Sequence, residues 1–316
     1  MCGLAGIFQY RTEAPPVNQA ELLRIRDIMV SRGPDGAGLW VGHDLCIGLA
    51  HRRLAIIDLS EAGAQPMVDA ETGNRIVFNG EVYNYRELRA ELSALGVSFH
   101  SQSDTEVLLK LYALHGREML TRLCGMFAFA LWDEKKQGLL LARDPFGIKP
   151  LYIADDGKTL RFASQVKALL AGGNVDTAVE PAGHVGFFLW GHVPEPYTLY
   201  RGIRAFPAGA SLWLDRAGHR EVNSFFDLPA EMAASVVPLS SMPTAKAREQ
   251  LRSALIESVR CHLLADVPVG TFLSAGRDST TIVALAREAA GAEHLTLTVG
   301  FREYAGTEND EVLWPS

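Results

Sequence analysis

The sequence predicts an α+β domain of stacked strand and helix layers, followed by the opening βαβ unit of a parallel-sheet domain. Three observations carry this reading. Apolar strands and amphipathic helices are mixed through residues 3–223 without the regular alternation of a βα barrel. The composition breaks at 228–243, where prolines and small residues replace the periodic pattern, as in a linker. Beyond it come a helix, an apolar strand, a small-residue loop, a second helix and a second strand, an order that belongs to a parallel sheet covered on both faces. A length of 316 residues suits two domains, each able to bury a core. The expected divisions are 1–228 for the first domain, 229–243 for the linker and 244–316 for the second.

Gly3–Tyr10 reads as the first strand. A helix follows from Val17 to Arg32, with Leu22, Ile25, Ile28 and Met29 on one face; Asn18 and Glu21 have capping-box spacing, and Gly33-Pro34 stops it. Short strands are expected near Leu45–Leu49, Leu54–Asp58 and Arg75–Phe78. The next helix carries Leu88, Leu92 and Leu95, is capped by Asn84 with Glu87, and ends at Gly96. Another starts at Ser103, with Glu106 closing its capping box and Val107, Leu108, Leu111 and Tyr112 inward. Strands follow at Met126–Leu131, Gly138–Ala142, Leu151–Ala154 and Leu160–Ala163, then a hairpin of Gly209–Leu214 and His219–Asn223. The second domain is expected to hold a helix over Ala245–Leu264, a strand at Val267–Leu273, a loop at Ser274–Ser279, a helix over Thr280–Ala290 and a strand at Leu295–Val299.

Basic residues number 30 and acidic residues 37, giving a net charge of −7 with no basic block, so no nucleic-acid partner is expected. The longest strong apolar run, Leu123–Trp132, falls well short of the roughly 20 residues of a membrane helix. No signal peptide is legible, so no membrane association and a cytoplasmic location are expected. Cys2, Cys46, Cys124 and Cys261 lack zinc-knuckle or dithiol spacing, and the histidines show no His-Glu-x-x-His, so no metal site is expected from the residues. Cys46 and Cys124 stand among apolar neighbours and read as buried. Cys2 differs. Once Met1 is removed, it carries both a thiol and an α-amine of reference pKa about 7.7–8.0, a nucleophile and a base in one residue.

Five further segments stand out: Ser31-Arg32-Gly33-Pro34-Asp35-Gly36, His51-Arg52-Arg53-Leu54, Asn79-Gly80-Glu81-Val82-Tyr83-Asn84-Tyr85, Ser103-Asp104-Thr105-Glu106, and Arg143-Asp144-Pro145-Phe146-Gly147-Ile148-Lys149-Pro150. Together with Met1-Cys2-Gly3 they resemble the glutaminase domain of the class II glutamine amidotransferases, and most nearly that of the asparagine synthetase family. The likeness runs in order through nearly the whole chain. It implies an N-terminal nucleophile fold, an αββα sandwich, for the first domain, and the first part of an ATP-pyrophosphatase-type α/β domain for the second. It also implies roles: Cys2 as nucleophile, Asn79 and Gly80 as the oxyanion hole at a strand end, Arg53 on the glutamine carboxylate, Glu81 and Asp104 on its amine. The planar fork of Arg53 suits a carboxylate, and preorganised donors at an oxyanion suit amide hydrolysis. Asp104 has a second reading, an acid favoured by the helix dipole in a first turn. Arg32 and Asp35 are expected to pair and lock a turn, and Phe146–Pro150 to form another with Gly147 at positive φ.

In the second domain Phe272–Thr280 places a small-residue loop between strand and helix, where backbone N–H groups can receive phosphate. It resembles the pyrophosphate loop of ATP pyrophosphatases, which implies Ser274, Gly276, Asp278 and Ser279 on pyrophosphate or its Mg²⁺, with Leu273 and Val299 beside adenine. The alternative is an ordinary strand–helix turn capped by Asp278 or Ser279. Ala275 and Arg277 depart from the family's Ser-Gly-Gly-apolar-Asp-Ser, Gln165 stands where Glu is usual, and Ser31 where His is common. The sequence stops after Gly306–Ser316, whereas the family continues. This leads us to expect a truncated synthetase with exposed apolar edges in its second domain, able to split glutamine but not to complete the ATP-dependent reaction. The function implied for the intact enzyme is glutamine-dependent asparagine synthesis, with glutamine, aspartate and ATP as partners, Mg²⁺ as cofactor, and a homodimer compatible with it. A paralogue acting on another carboxylate stays open, as does a fragment with glutaminase activity only or none.

Overall fold

The computed structural model describes residues 1–235, 243–291, 294–307 and 310. The chain divides into two compact units, Met1–Ala234 and Ser235–Ser316.

The first unit holds two six-stranded sheets whose neighbouring strands are all antiparallel. One contains β1 (Gly3–Gln9), β2 (Gly36–Val41), β3 (Ile47–Arg53), β8 (Tyr152–Asp155), β9 (Thr159–Ala163) and β10 (Arg204–Ala205), in the order β10-β8-β9-β1-β3-β2. The other contains β4 (Met67–Val68), β5 (Arg75–Val82), β6 (Gly125–Asp133), β7 (Gly138–Arg143), β11 (Ala210–Asp215) and β12 (Arg220–Ser224), in the order β12-β11-β7-β6-β5-β4. Strand alternation decides the layers. Leu4 and Phe8 of β1 meet Val77, Ala128, Ala130, Leu139 and Leu141 in a core between the sheets. The intervening Ala5 and Ile7 pack with Leu22 and Ile25 of α1 (Gln19–Asp27) and with Ala168 and Leu169 of α4 (Val166–Gly172) on the outer face. α2 (Tyr85–Ala94) packs on α3 (Asp104–His115), which lies against β5 and β4. The result is the αββα sandwich.

Several boundaries differ from those the sequence suggested. α1 stops at Asp27, five residues short of Arg32: the N–H of Arg32 closes a turn on Met29 and its side chain reaches the Cys2 carbonyl. Asn18 caps α1 by accepting from the N–H of Ala20 and Glu21, but Glu21 does not complete a box; it pairs with Arg161 at 2.6 Å in the interior. Asn84 makes no cap bond, because its amide bridges the Arg122 carbonyl and the Cys124 N–H. Ser103 does cap α3, while Glu106 accepts from His100 and Ser101. The strand expected at Leu54–Asp58 is irregular, whereas β2 forms at Gly36–Val41, to which the sequence reading assigns no element. β5 runs to Val82, past the expected end at Phe78. Arg32 and Asp35 do not lock a turn on each other; Asp35 accepts from Ala55 N–H. Cys46 is buried, but Cys124 is exposed, because it lies before β6 rather than in it. α5 (Pro181–Trp190) was not legible, and α6 (Leu228–Ala234) occupies the start of the expected linker. Residues 236–242 of that linker lie outside the described residues, as do 308–309 and 311–316 of the terminal segment.

In the second unit β13 (Gly270–Phe272) and β14 (Leu295–Leu297) pair in parallel, as the βαβ order requires. Ile256 and Val259 of α7 (Thr244–His262) pack on Leu285 and Ala286 of α8 (Arg277–Ala290). Phe272, Leu295 and Val299 stay exposed, at 72%, 60% and 57%. Among the described residues no helix is long and apolar enough to cross a membrane.

Candidate active site

Strand parity builds the site. Cys2 precedes β1, at the end of the sheet where β3 finishes in Arg53. Opposite lies the later half of β5. Between them is a cavity of about 150 Å³ whose lining includes Cys2, Arg53, Gln65, Asn79, Gly80, Glu81, Asp104 and Lys149. The Cys2 Sγ lies 3.5 Å from the Leu54 carbonyl and 3.4 Å from its N–H, and Arg32 Nε donates to the Cys2 carbonyl at 2.9 Å. Burial pushes the thiol pKa up. The Cys2 nitrogen is here a peptide nitrogen, joined to Met1.

On β5, Gly80 faces Phe127 of β6. Both backbone groups of Phe127 are taken by Asp144: its N–H donates to the carboxylate at 3.2 Å and its carbonyl accepts from Asp144 N–H at 2.7 Å. Antiparallel partners alternate between bonded and unbonded pairs. The Gly80 N–H therefore turns away from β6, towards the edge where the short β4 has already ended. Its neighbours confirm the parity, since the Phe78 N–H donates to Gln65 Oε1 at 2.6 Å and the Val82 N–H to Asp104 Oδ2 at 3.0 Å. A Cβ at position 80 would fall 2.2 Å from the Met126 carbonyl oxygen, so only glycine fits. Next to it Asn79 is 1% exposed, and its Nδ2 has no partner among the described residues. A buried unsatisfied amide costs about 1–3 kcal/mol, so it acts as a donor held ready for an acceptor.

Arg53 donates through Nη1 to the Ser60 carbonyl at 2.7 Å and through Nη2 to the Asp58 carbonyl. A Cβ on Gly63 would fall 2.3 Å from Nη2, so that glycine gives the guanidinium its place. Asp104 is buried; its pKa is pushed up to about 7, first by desolvation and further by the Glu81 charge, against the Val82 N–H bond. Lys149 also lines the cavity, its pKa lowered by burial against the opposing charges of Glu81 and Cys2. The sequence pattern offers Lys149 only as a turn residue. The turn is real: the Asp144 carboxylate accepts from the N–H groups of Phe146, Ile148 and Lys149, and Gly147 has φ 63°. What it does besides is aim Lys149 at the cleft. Gln65, outside every segment singled out above, lines the cavity too, as does Thr105 of the Ser103–Glu106 segment, a residue to which the sequence assigns no role.

The candidate nucleotide residues cluster in the second unit. Ser274 N–H donates to Ser279 Oγ at 3.1 Å, the two hydroxyls meet at 2.9 Å, and Gly276 N–H donates to Ser274 Oγ at 3.3 Å. α8 begins at Arg277 with Gly276 at its cap position and no side-chain cap, so neither Asp278 nor Ser279 caps it. The uncapped N–H groups and hydroxyls form a donor set that suits phosphate. Asp278 supplies a single exposed carboxylate, and Arg277 and Ala275 are exposed beside it. Leu273 donates its N–H to the Leu297 carbonyl at 2.8 Å, and Val299 lies just beyond β14. Gln165, before α4, has its side-chain oxygen buried without a partner among the described residues. No group of metal-ligating side chains occurs among the described residues.

Residues 1–226 match the glutamine amidotransferase domain family and residues 250–316 the asparagine synthase family. Asparagine synthetase (glutamine-hydrolyzing) 1 of Bacillus subtilis strain 168 is 38% identical over 98% of this chain and 47% of its own length. Asparagine synthetase B (glutamine-hydrolyzing) of Escherichia coli K12 is 34% identical over 100% of this chain and 48% of its own. Amidase chry2 of Gibberella zeae is also 34% identical, over 90% and 42%. The chain thus spans about half the length of the curated relatives it matches. Among solved structures, the glutamine phosphoribosylpyrophosphate amidotransferase of B. subtilis superposes with a TM-score of 0.54 at 19% identity, over 100% of this chain and 69% of that one, a likeness of fold.

Proposed function

Because the chain belongs to the glutamine amidotransferase domain family, we propose that its first unit splits the side-chain amide of glutamine and that its second serves ATP-dependent amidation of aspartate to asparagine. The observation that carries the first half is the unpartnered Asn79 Nδ2 beside the inward-facing Gly80 N–H, in one cavity with the Cys2 thiol. With Met1 removed, the freed α-amine takes the thiol proton and the sulfur attacks the amide carbon. The carbonyl π pair moves onto oxygen, where Asn79 and Gly80 donate to it. The C–N bond then breaks, the nitrogen leaves as ammonia with a proton from the α-amine, and water hydrolyses the γ-glutamyl thioester to glutamate. Arg53 answers the substrate carboxylate and Glu81 with Asp104 its ammonium, so the cavity's charges match those of a free amino acid.

In the second unit Ser274, Gly276, Asp278 and Ser279 are proposed to hold pyrophosphate or its Mg²⁺, with Leu273 and Val299 beside adenine. ATP, when bound, supplies the leaving group that activates the acceptor carboxylate. The reading fits a cytoplasmic enzyme and is compatible with a homodimer. A second reading is an acceptor other than aspartate: one relative at 34% identity bears the name Amidase chry2 rather than that of an asparagine synthetase, against 38% for asparagine synthetase 1 of B. subtilis. Pyrophosphate release over a panel of carboxylic acids, measured on a protein that carries the whole synthetase domain, separates the two.

The first half is tested by acid-quenching the protein with glutamine and mapping the adduct by mass spectrometry. The expected peptide begins at Cys2 and carries the glutamyl group. Full activity with Met1 still attached, or an adduct on Cys46, Cys124 or Cys261 instead, overturns the assignment.

A further inference from the structure

The edge of β5 that faces the cavity lacks a strand. β4 pairs only Met67 with Ile76 and Val68 with Arg75. At Phe78 and Val82, backbone groups on that edge are met by side chains from elsewhere. The Phe78 carbonyl receives His51 Nε2 at 3.0 Å, its N–H donates to Gln65 Oε1 at 2.6 Å, and the Val82 N–H reaches Asp104. Phe78 is therefore held at both its donor and its acceptor, one residue before Asn79 and two before Gly80.

The two clamping side chains are fixed in turn. His51 lies in β3, opposite Leu4 of β1 and Gly38 of β2, with no solvent exposure. A carbonyl only accepts, so Nε2 carries the proton and Nδ1 is bare; Nδ1 has no partner among the described residues. Burial lowers the pKa to about 4, which keeps the ring neutral and the tautomer single near neutral pH. Gln65 uses its other end, donating from Nε2 to Thr105 Oγ1 at 3.2 Å; a flip of its amide would set N–H against the Phe78 N–H and lose that bond. A buried histidine with one spent nitrogen and one idle nitrogen is a poor stabilising device. Its place is explained by what it holds.

We infer that His51 and Gln65 are positioning residues that replace the missing strand at Phe78 and so fix the Asn79 amide and the Gly80 N–H against the oxyanion. Neither touches the substrate in this role. The inference rests on the glutaminase reading and adds how its oxyanion hole is aimed. Errors of about 1 Å in such donors can cost 10²-fold in rate, so the effect belongs in kcat rather than in KM.

The test compares glutamine hydrolysis by the whole chain with that of His51→Leu, which removes the donor, and His51→Gln, which keeps an amide donor near the Nε2 position. Each is also titrated with glutamate γ-semialdehyde. Its aldehyde carbon takes the Cys2 sulfur, the π pair goes to oxygen with the thiol proton, and the hemithioacetal oxygen occupies the oxyanion position. We expect His51→Leu to lose at least about tenfold in kcat with KM within about twofold, to lose aldehyde affinity by a similar factor, and to be largely rescued in His51→Gln. Unchanged kcat in His51→Leu overturns the inference. So does a kcat loss with aldehyde affinity intact, or a His51→Gln as impaired as His51→Leu. If His51→Leu does not fold, Gln65→Met is read by the same criteria. A wild-type chain that releases no glutamate removes the glutaminase reading and this inference with it. An active wild type with an indifferent His51→Leu removes the inference alone.

Discussion

Asn79 and Asp104 show how single side chains are kept costly for the fold and useful for chemistry. The Asn79 Nδ2 has no described bond to lose, so Asn79→Ala should leave the melting temperature nearly unchanged. The same change should lower kcat for glutamine hydrolysis by about 10²–10³-fold with KM within a few-fold. A KM effect alone would assign Asn79 to ground-state binding. Asp104 carries a pH signature. Its folded pKa of about 7 lies above the ordinary carboxylate value, so between the two the native state holds a proton that the unfolded chain has released. Without ligand, stability therefore falls as pH rises through that window, and Asp104→Asn should flatten the fall seen in chemical denaturation. Substrate binding runs the other way, because an ammonium needs the ionised acid. The KM for glutamine should drop as pH rises from about 6 to 8; a KM flat over that range would detach Asp104 from the amine.

At the scale of elements, the site depends on a loop glycine and on where one strand stops being paired. Gly63 leaves room for the Arg53 guanidinium, and Gly63→Ala should raise the KM for glutamine several-fold while sparing kcat, checked by steady-state kinetics beside Arg53→Ala. Much of this was legible in the sequence. Cys2, Arg53, Asn79-Gly80 and Asp104 sit in short local motifs, and the cavity does bring all of them together. What was not legible is tertiary. Asn79 and Gly80 lie within β5 rather than at its end, because pairing with β6 continues to Val82, and no local pattern reports a partner strand. Lys149, Gln65 and His51 matter through tertiary contacts: Lys149 lines the cavity from the turn after β7, and Gln65 and His51 reach Phe78 from outside β5. α5 escaped because Pro181-Ala-Gly-His-Val-Gly-Phe-Phe-Leu-Trp190 is apolar all round and has no helical stripe. α6 escaped because Pro229 and small residues read as linker, although a proline is tolerated in a helix's first turn.

The whole molecule joins two units with separate cores, one between stacked sheets and one between α7 and α8. A glutamine-competitive ligand at about 100 times its Kd should stabilise the unit that binds it by about 2.7 kcal/mol. In calorimetry it should raise the transition of Met1–Ala234 and leave that of Ser235–Ser316 in place; equal shifts in both would contradict independent cores. The central claim is that the sulfur of residue 2 performs the amide cleavage, and it is tested most directly by the rate of glutamate release from glutamine in the wild-type chain and in Cys2→Ala, each with its melting curve. The expected result is steady release by the wild type and none by a Cys2→Ala protein that melts at the same temperature. Equal release by the two would contradict it.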